Sequence, residues 1–491
     1  MVCRPSDHPT RYAHARLVAP RLLEQEALVN RELATRRLFA DALAGRIDRR
    51  TVITRAAALG LSVPVVGALA RATSMPALAG DPATLEITSY DWQAALHPGL
   101  TVYSEEFSAT IPTRNEIAPS ASFSADIFLS EAAEKSSTWD VYTGVTPFLE
   151  MVQLVSADVI EPWDPYLPEG LLEDLFPPIR DEGSYDGSFY VWPWLLDIIV
   201  NGWNAEIVTK AGLDAEAAPA SWDELLANAK TVMDSGAAPF GVTFDYHAWR
   251  SLIPISHSIS LDVYDPETGL FMWNGDTAVQ ALEIMKQMMP LANPDVLNPG
   301  ATDGGVNQTP DEQAFASQQV AYYIKYENAH LRFASTWPDP SQVRFGALPK
   351  PEGGAGGTVF WTTGAVLLKY GENKEESGQF MDGLIRDERI WQNSIQGNLP
   401  ESSAVGQLPV LQSMWEEYEA NRPDWMADWA FAIKDALPTA QAITPTILSI
   451  QQFDLAAPFY VAYLRGEESD AKAALDKAMD AVQAAYEDAI A

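Results

Sequence analysis

Four stretches set aromatic rings beside single carboxylates where a strand pattern ends: Tyr90-Asp91-Trp92, Trp192-Pro193-Trp194 with Asp197, Phe244-Asp245-Tyr246-His247 with Trp249, and Val359-Phe360-Trp361-Thr362-Thr363. A flat ring can cover the apolar C–H face of a sugar, and an ionised or amide group can hold the hydroxyls on its rim. Strand-to-loop corners are also where an open α/β sheet forms a pocket. The same rings fit core or hinge packing, because Trp and Tyr are often mostly buried. Trp203, in an apolar run, and Trp222, on a capped helix face, read as core.

Covalent chemistry has no comparable signal. The chain carries no G-x-S-x-G elbow, no H-E-x-x-H, no paired C-x-x-C and no G-x-x-x-x-G-K. The run Gly353-Gly354-Ala355-Gly356-Gly357 lacks the Lys and the following helix of a phosphate loop and reads as a flexible connection. The histidines, His8, His14, His97, His247, His257 and His330, show no ligand spacing, so neither a metal nor a cofactor is expected.

The 491 residues suffice for two or three folding units, and 47% apolar with 20% charged residues excludes a disordered or low-complexity chain. A formal charge of −35 repels phosphate backbones and anionic membranes, which argues against nucleic acid as a partner. With Cys3 as the single cysteine, no disulfide can close within the chain.

Charge reverses along the chain. The first 80 residues hold 12 Arg, no Lys and 6 acids, whereas the remainder holds 20 basic and 61 acidic residues. Within that first part Arg49-Arg50 precedes an apolar run from Ala56 to Ala70, and Ala77-Leu78-Ala79 follows as a small-x-small cleavage pattern. Residues 1–80 therefore read as an extension plus a secretory signal of the twin-arginine type, giving an exported protein located in the periplasm. No Cys follows Ala79 to take a lipid anchor.

The elements that must position the aromatic clusters alternate between strand and helix patterns, an α/β arrangement. Thr84 to Tyr90 alternates as a first strand, Trp139 to Tyr142 is a short apolar strand, and Tyr185-Asp186-Gly187-Ser188 is a turn. Phe189 to Trp194 is extended, since Pro193 forbids a helix interior. Ser221-Trp222-Asp223-Glu224 is a capping box opening an amphipathic helix that Gly236 can close. A stripe of Ala471, Leu475, Ala478, Met479, Val482, Ala485 and Ile490 marks a terminal helix packed on the core.

Several stretches, in order, form one signature. Asp186 to Pro193, Val200-Asn201-Gly202-Trp203-Asn204, Lys210-Ala211-Gly212-Leu213-Asp214 and Ser221 to Leu226 come first. Ala314 to Ala321, Leu348-Pro349-Lys350-Pro351, Glu372 to Met381 and Gly397-Asn398-Leu399-Pro400 follow. Together they resemble the family 1 extracellular solute-binding proteins of bacterial ABC importers, the maltose-binding-protein-like group, over roughly residues 84 to 490.

The resemblance implies a two-lobed periplasmic-binding-protein fold of the class II type, its ligand cleft lying between α/β lobes joined by hinge crossings. The crossings fall near Pro193–Asp197, Phe360–Gly364 and Leu399–Ser402. Lobe I is then 84–193 with 365–400, and lobe II is 197–360 with 402–491. By position in the family pattern the ligand contacts are Asp91, Trp92, Thr143, Gly144, Asp245, Tyr246, His247, Trp249, Lys325, Tyr326, Asn328 and Trp361. The implied function is that of a monomeric receptor, not an enzyme, which delivers a small carbohydrate or polyol to the importer's transmembrane subunits. Two alternatives stay open: a secreted glycoside hydrolase using Asp91 and Asp245, and the same fold closing on a cationic amine.

Overall fold

The computed structural model describes residues 84–89, 97–117, 126–298, 309–399, 402 and 404–491. The secretory signal, Asp91 and Trp92 lie outside the described residues. Twelve strands are described: β1 Leu85–Ser89, β2 Thr113–Ile117, β3 Val141–Val145, β4 Ile160–Glu161, β5 Ser184–Tyr185, β6 Ser188–Phe189, β7 Trp192–Asn204, β8 Phe240–Phe244, β9 Val320–Tyr326, β10 Val343–Gly346, β11 Thr358–Leu368 and β12 Ala440–Ala442. Ten of them form one sheet in the order β2-β1-β3-β11-β7-β9-β8, with β10 beside β7, and β4 and β12 beside β11.

Two long antiparallel strands carry the organisation. β7 is buried along all 13 of its residues, so it reads as the near-continuous apolar run of a strand covered on both faces. Its first half pairs with β11, and its second half has β9 on one edge and β10 on the other. β11 in turn continues to β3, which brings in the parallel set β3-β1-β2. Two strand groups are thereby strung on one β7–β11 pair, which includes the register Trp361↔Asp197.

Pro193 sits inside β7 where the ladder with β11 shifts between Thr363 and Gly364. Proline has no amide to donate, and a register break is where a sheet tolerates it. Gly364 faces it because a Cβ there would lie 2.4 Å from Val191 and 2.7 Å from the Trp192 carbonyl. The turn between β5 and β6 places Asp186 and Gly187 at φ 49° and 80°, as a tight hairpin requires.

Ser221 accepts from the Glu224 amide at 3.2 Å while the Glu224 carboxylate accepts from the Ala220 amide at 2.8 Å, opening the helix Trp222–Asp234. Gly236, at φ 70°, follows its end. The glycine run before β11 is a packed strap, contrary to the expected flexible connection. Ala355 and Gly356 donate to the carbonyls of Ile259 and Ser258, and a Cβ on Gly357 would lie 2.8 Å from the Thr439 carbonyl.

One apolar cluster gathers Trp203, Val242, Phe244, Met285, Tyr323, Phe453 and Leu475; another gathers Leu85, Ile87, Leu196, Phe380, Trp391, Leu411 and Trp415. The second also takes Met426, Ile433, Leu437 and Ala440. The expected lobes placed everything after 402 with the first cluster, but the side chains from Leu408 to Ala440 pack with the other. The Leu196↔Leu408 bridge and the pairing of β12 with β11 hold that segment there.

Gly202 is a close approach of backbone to ring: a Cβ there would lie 2.1 Å from His330, whose nitrogens are tied to the carbonyls of Tyr326 and Tyr323. Gly202→Ala is therefore expected to destabilise the protein by about 1–3 kcal/mol, the usual penalty of overpacking. Urea denaturation of the variant against the wild type measures it, and a change within 0.5 kcal/mol, the range of neutral surface substitutions, would contradict it.

Candidate binding site

β8 and β9 are parallel neighbours, in register from Phe240↔Val320 to Phe244↔Ile324. Whatever follows each strand therefore emerges at the same sheet edge. From β8 come Asp245, Tyr246, His247, Trp249 and Arg250; from the end of β9 come Lys325 and Tyr326, then Glu327, Asn328 and Arg332 on the helix Glu327–Ala334. Trp361, at the middle of β11, meets these groups from the adjoining side.

The rings form a continuous cluster. Trp249 and Tyr326 each contact Trp361 edge to face, with centroids 5.3 and 5.4 Å apart, and Phe148 contacts Trp249 at 5.4 Å. The Arg250 guanidinium lies 3.9 Å above Trp249 and 5.2 Å from Tyr326, a cation held against two aromatic faces. His247 adjoins the cluster, and the half-buried Tyr246 ring contacts it at 5.1 Å.

Beneath the rings is a buried charge cluster. Lys325, fully buried, contacts the Asp245 carboxylate directly, Asp311 at 2.9 Å and Glu312 at 3.6 Å, and the Tyr323 hydroxyl donates to Asp311 at 2.5 Å. Asp245 takes the His247 amide and ring nitrogen on one oxygen, each at 2.7 Å, and Arg250 at 3.1 Å with Lys325 on the other. Burial alone would push the Asp245 pKa upward, but Lys325 and Arg250 outweigh it and hold the carboxyl well below its usual range. The Lys325 ammonium is held above its ordinary value by the same pairing, against the opposing effect of burial.

This changes the part played by two expected contacts. Both oxygens of Asp245 and the ammonium of Lys325 are engaged internally, so these groups aim Arg250 and present no free polar atom of their own. Asp245 is also ill-suited as one of two hydrolase carboxylates, being fully engaged as a counterion. Thr143 and Gly144, expected in the loop after β3, lie within that strand. The Thr143 hydroxyl donates to the Thr88 carbonyl at 3.2 Å, and its own carbonyl accepts from Trp194 Nε1 at 3.0 Å.

Asn328 joins a second buried network. Its amide donates to one Asp197 oxygen, Gln407 Nε2 donates to the other at 2.6 Å, and the Gln407 carbonyl meets His97 Nε2. Burial drives the His97 pKa down to about 4, leaving a neutral ring. Burial raises Asp197 to about 6 against its amide donors, and raises the neighbouring Glu327 well above the carboxylate range, assisted by the charge of Asp197. Glu327 accepts from the Ile198 amide at 2.7 Å.

Arg250, Asp197, Glu327, Arg332, Gln407 and His97 are absent from the sequence-based contacts. Asp197 had been visible as the carboxylate beside Trp192-Pro193-Trp194, and a further signal was Trp249-Arg250, a cation beside an aromatic. Among the described residues no group of His, Cys, Asp or Glu could hold a metal ion.

The model of the bacterial extracellular solute-binding protein family matches residues 116–388. The chain belongs to that family. Members of the family bind solutes and are not enzymes. This solute-binding protein is 25% identical over 318 residues to the sn-glycerol-3-phosphate-binding periplasmic protein UgpB of Rhizobium meliloti, covering 62% of this chain and 70% of the relative.

Among solved structures it is similar to the GacH receptor of Streptomyces glaucescens, studied unliganded and with acarbose (TM-score 0.65, 18% identity, 82% of this chain and 98% of that one). It is also similar to an ABC transporter solute-binding protein of Thermotoga lettingae bound with α-D-tagatose (TM-score 0.66, 17% identity, 81% and 98%). These likenesses show the two-lobed periplasmic-binding-protein fold for this solute-binding protein.

One further buried carboxyl touches the middle of β11. Glu182 accepts from the Thr362 amide at 3.0 Å and hydroxyl at 2.8 Å, and burial raises its pKa to about 8 despite those donors. The folded protein thus keeps a proton there that the unfolded chain loses above pH 4.5, so stability falls as pH rises toward 8. Relative to Glu182→Gln, the wild type is expected to lose about 4 kcal/mol between pH 5 and 8. Urea denaturation at both pH values measures the difference, and a pH-independent gap would contradict it.

Proposed function

We propose that this solute-binding protein captures a small carbohydrate or polyol between its lobes and delivers it to the membrane subunits of an ABC importer. The observation that carries this reading is the ring cluster Trp249–Tyr326–Trp361, with Arg250 against it, drawn together from the segment after β8, the end of β9 and β11. Trp361 on β11 lies beside Asp197 on β7, so a ligand seated there contacts the strands about which the lobes would turn. The sugar and glycerol-phosphate ligands named for similar proteins support it. In this reading lobe I includes the segment up to about residue 440, the receptor works as a monomer, and residues 1–80 direct twin-arginine export to the periplasm.

The cationic-amine alternative loses ground because Arg250 already supplies a cation to the aromatic faces and Asp245 is fully paired. Of the expected contacts, Trp249, Tyr326, Trp361 and His247 form the core of the proposed site and Asp245 and Lys325 support it; Asp91 and Trp92, outside the described residues, stay as contacts implied by the family resemblance. A dissociation constant near micromolar corresponds to about −8 kcal/mol, within reach of a few hydrogen bonds and one or two ring contacts. Calorimetry of the full chain against a panel of sugars, polyols and amines tests the reading. One-to-one binding of a sugar or polyol without product release is expected; silence across the panel, or turnover of an oligosaccharide, would overturn it.

A further inference from the structure

The proposed site has a polarity that the pattern of aromatics and carboxylates in the sequence did not suggest. Its carboxylates have internal partners: Asp245 is saturated by Lys325, Arg250 and His247, and Asp197 by Asn328 and Gln407. What is left over on the two segments facing Trp361 is a set of hydrogen-bond donors. On 249–250 the buried atoms without a partner are Trp249 Nε1 and Arg250 Nε; on 326–332 they are Glu327 Oε1 and Arg332 Nε. The first two and the last are N–H donors by chemistry. Burial and the charge of Asp197 raise the Glu327 pKa, which favours the form in which its carboxyl donates.

Both arginines flank one phenol. Arg250 lies 5.2 Å from the Tyr326 ring and Arg332 Nη2 lies 3.4 Å from its hydroxyl. Among the described residues Arg332 has no carboxylate within ion-pair distance. A buried donor left without an acceptor costs about 1–3 kcal/mol, and more when charged, so free donors on these two segments favour an acceptor-rich partner. Of the chemical groups a sugar or polyol can carry, the one that is all acceptor, planar or tetrahedral, and matched to guanidinium edges is an oxyanion.

Resting on the receptor reading above, we propose that Arg250 and Arg332 form an oxyanion subsite beside Tyr326, and that the ligand is an acidic sugar or polyol, bearing a carboxylate or a phosphate. The ring cluster of Trp249 and Trp361 takes the carbon skeleton, and the two guanidiniums take the charged end. Asp245, Lys325 and Asp311 act through Arg250 as positioning residues.

The test is calorimetry on the full chain with matched probes: sn-glycerol 3-phosphate against glycerol, glucose 6-phosphate against glucose, and glucuronate against glucose. At least one anionic probe is expected to bind at least tenfold more tightly than its neutral match, the phosphate and carboxylate arms showing which oxyanion is preferred. Arg332→Gln, which breaks no ion pair among the described residues, is expected to lower the anionic-to-neutral affinity ratio roughly 10- to 100-fold, as loss of a charge-assisted hydrogen bond does, with a thermal melt confirming that it folds. Arg250→Gln is expected to do the same, with a thermal melt confirming that it folds. A neutral probe binding as tightly as its anionic match, or an Arg332→Gln ratio equal to wild type, overturns the subsite and leaves the receptor reading standing. Failure of every probe in both sets overturns both.

Discussion

Lys325→Met should destabilise the protein by about 3–5 kcal/mol, the largest stability effect expected from a single substitution near the site. Lys325 is fully buried and serves Asp245, Asp311 and Glu312 at once. Methionine matches its stem in length but leaves Asp311 without its cation; the Arg250 guanidinium reaches only Asp245 within ion-pair distance, and Arg332 and Arg250 act on Glu312 from farther away. Desolvation already works to raise Asp311, and removing the ammonium would force it to take up a proton or admit water. Urea unfolding followed by tryptophan fluorescence reads the loss. A change under 1 kcal/mol would mean that the cluster is hydrated or rearranged. The double variant Lys325→Met with Asp311→Asn should recover part of the loss, because the two residues share one interaction.

Trp361→Ala is expected to weaken ligand binding by roughly two orders of magnitude, while Trp361→Phe should keep most of it. The ring contacts both Trp249 and Tyr326, so truncation opens the cluster from the middle of β11. A removed aromatic forfeits about 2–3 kcal/mol of apolar burial plus up to about 1 kcal/mol of ring contact, which together make about a hundredfold change in affinity. Calorimetry with the best-binding member of the sugar and polyol panel measures it. An unchanged dissociation constant in Trp361→Ala would place the ligand elsewhere on the molecule. Because the residue is buried, the variant also loses folding stability, so binding is read well below its melting temperature.

Much of the framework was legible in the sequence because its causes are local. The Ser221 cap, the Asp186-Gly187 turn and the extended run through Pro193 depend on residues a few positions apart, and each forms as its chemistry dictates. The rings at Trp249 and Trp361 were visible in aromatic-rich stretches and Tyr326 through the family resemblance, and the sheet brings them together. What was not legible is pairing over distance. The partner that commits Asp245 internally lies 80 positions away, and the amides that occupy Asp197 come from 131 and 210 positions away. Without those partners an acid beside a tyrosine looks like a ligand contact when it is a buried counterion.

Thr143 illustrates a shorter error. Thr143-Gly144 suggests a loop, yet β3 runs on to Val145 because β1 and β11 pair on both of its sides. The placement of Leu408 to Ala440 escaped for the same reason as the charge pairs. Nothing within that stretch tells its apolar residues which of two cores to join; the bridge to Leu196 and the alignment of β12 on β11 decide it.

The two networks also suggest why the site would respond to a ligand as a unit. Asp197 occupies the middle of β7 and is held by Asn328 on one side and by Gln407, itself tied to His97, on the other. Trp361 pairs with Asp197 across β11 and β7, and both it and Arg250 lie against the Tyr326 ring. In the proposed site a ligand engaging these groups would act on β7 and β11, and hinge closure takes up its backbone change in a few residues at element ends.

The most direct test of the central claim is small-angle X-ray scattering of the full chain with and without a saturating amount of the tightest-binding sugar or polyol. The account predicts a smaller radius of gyration on binding, reversed when the ligand is dialysed away. Stoichiometric binding with an unchanged radius of gyration would contradict it.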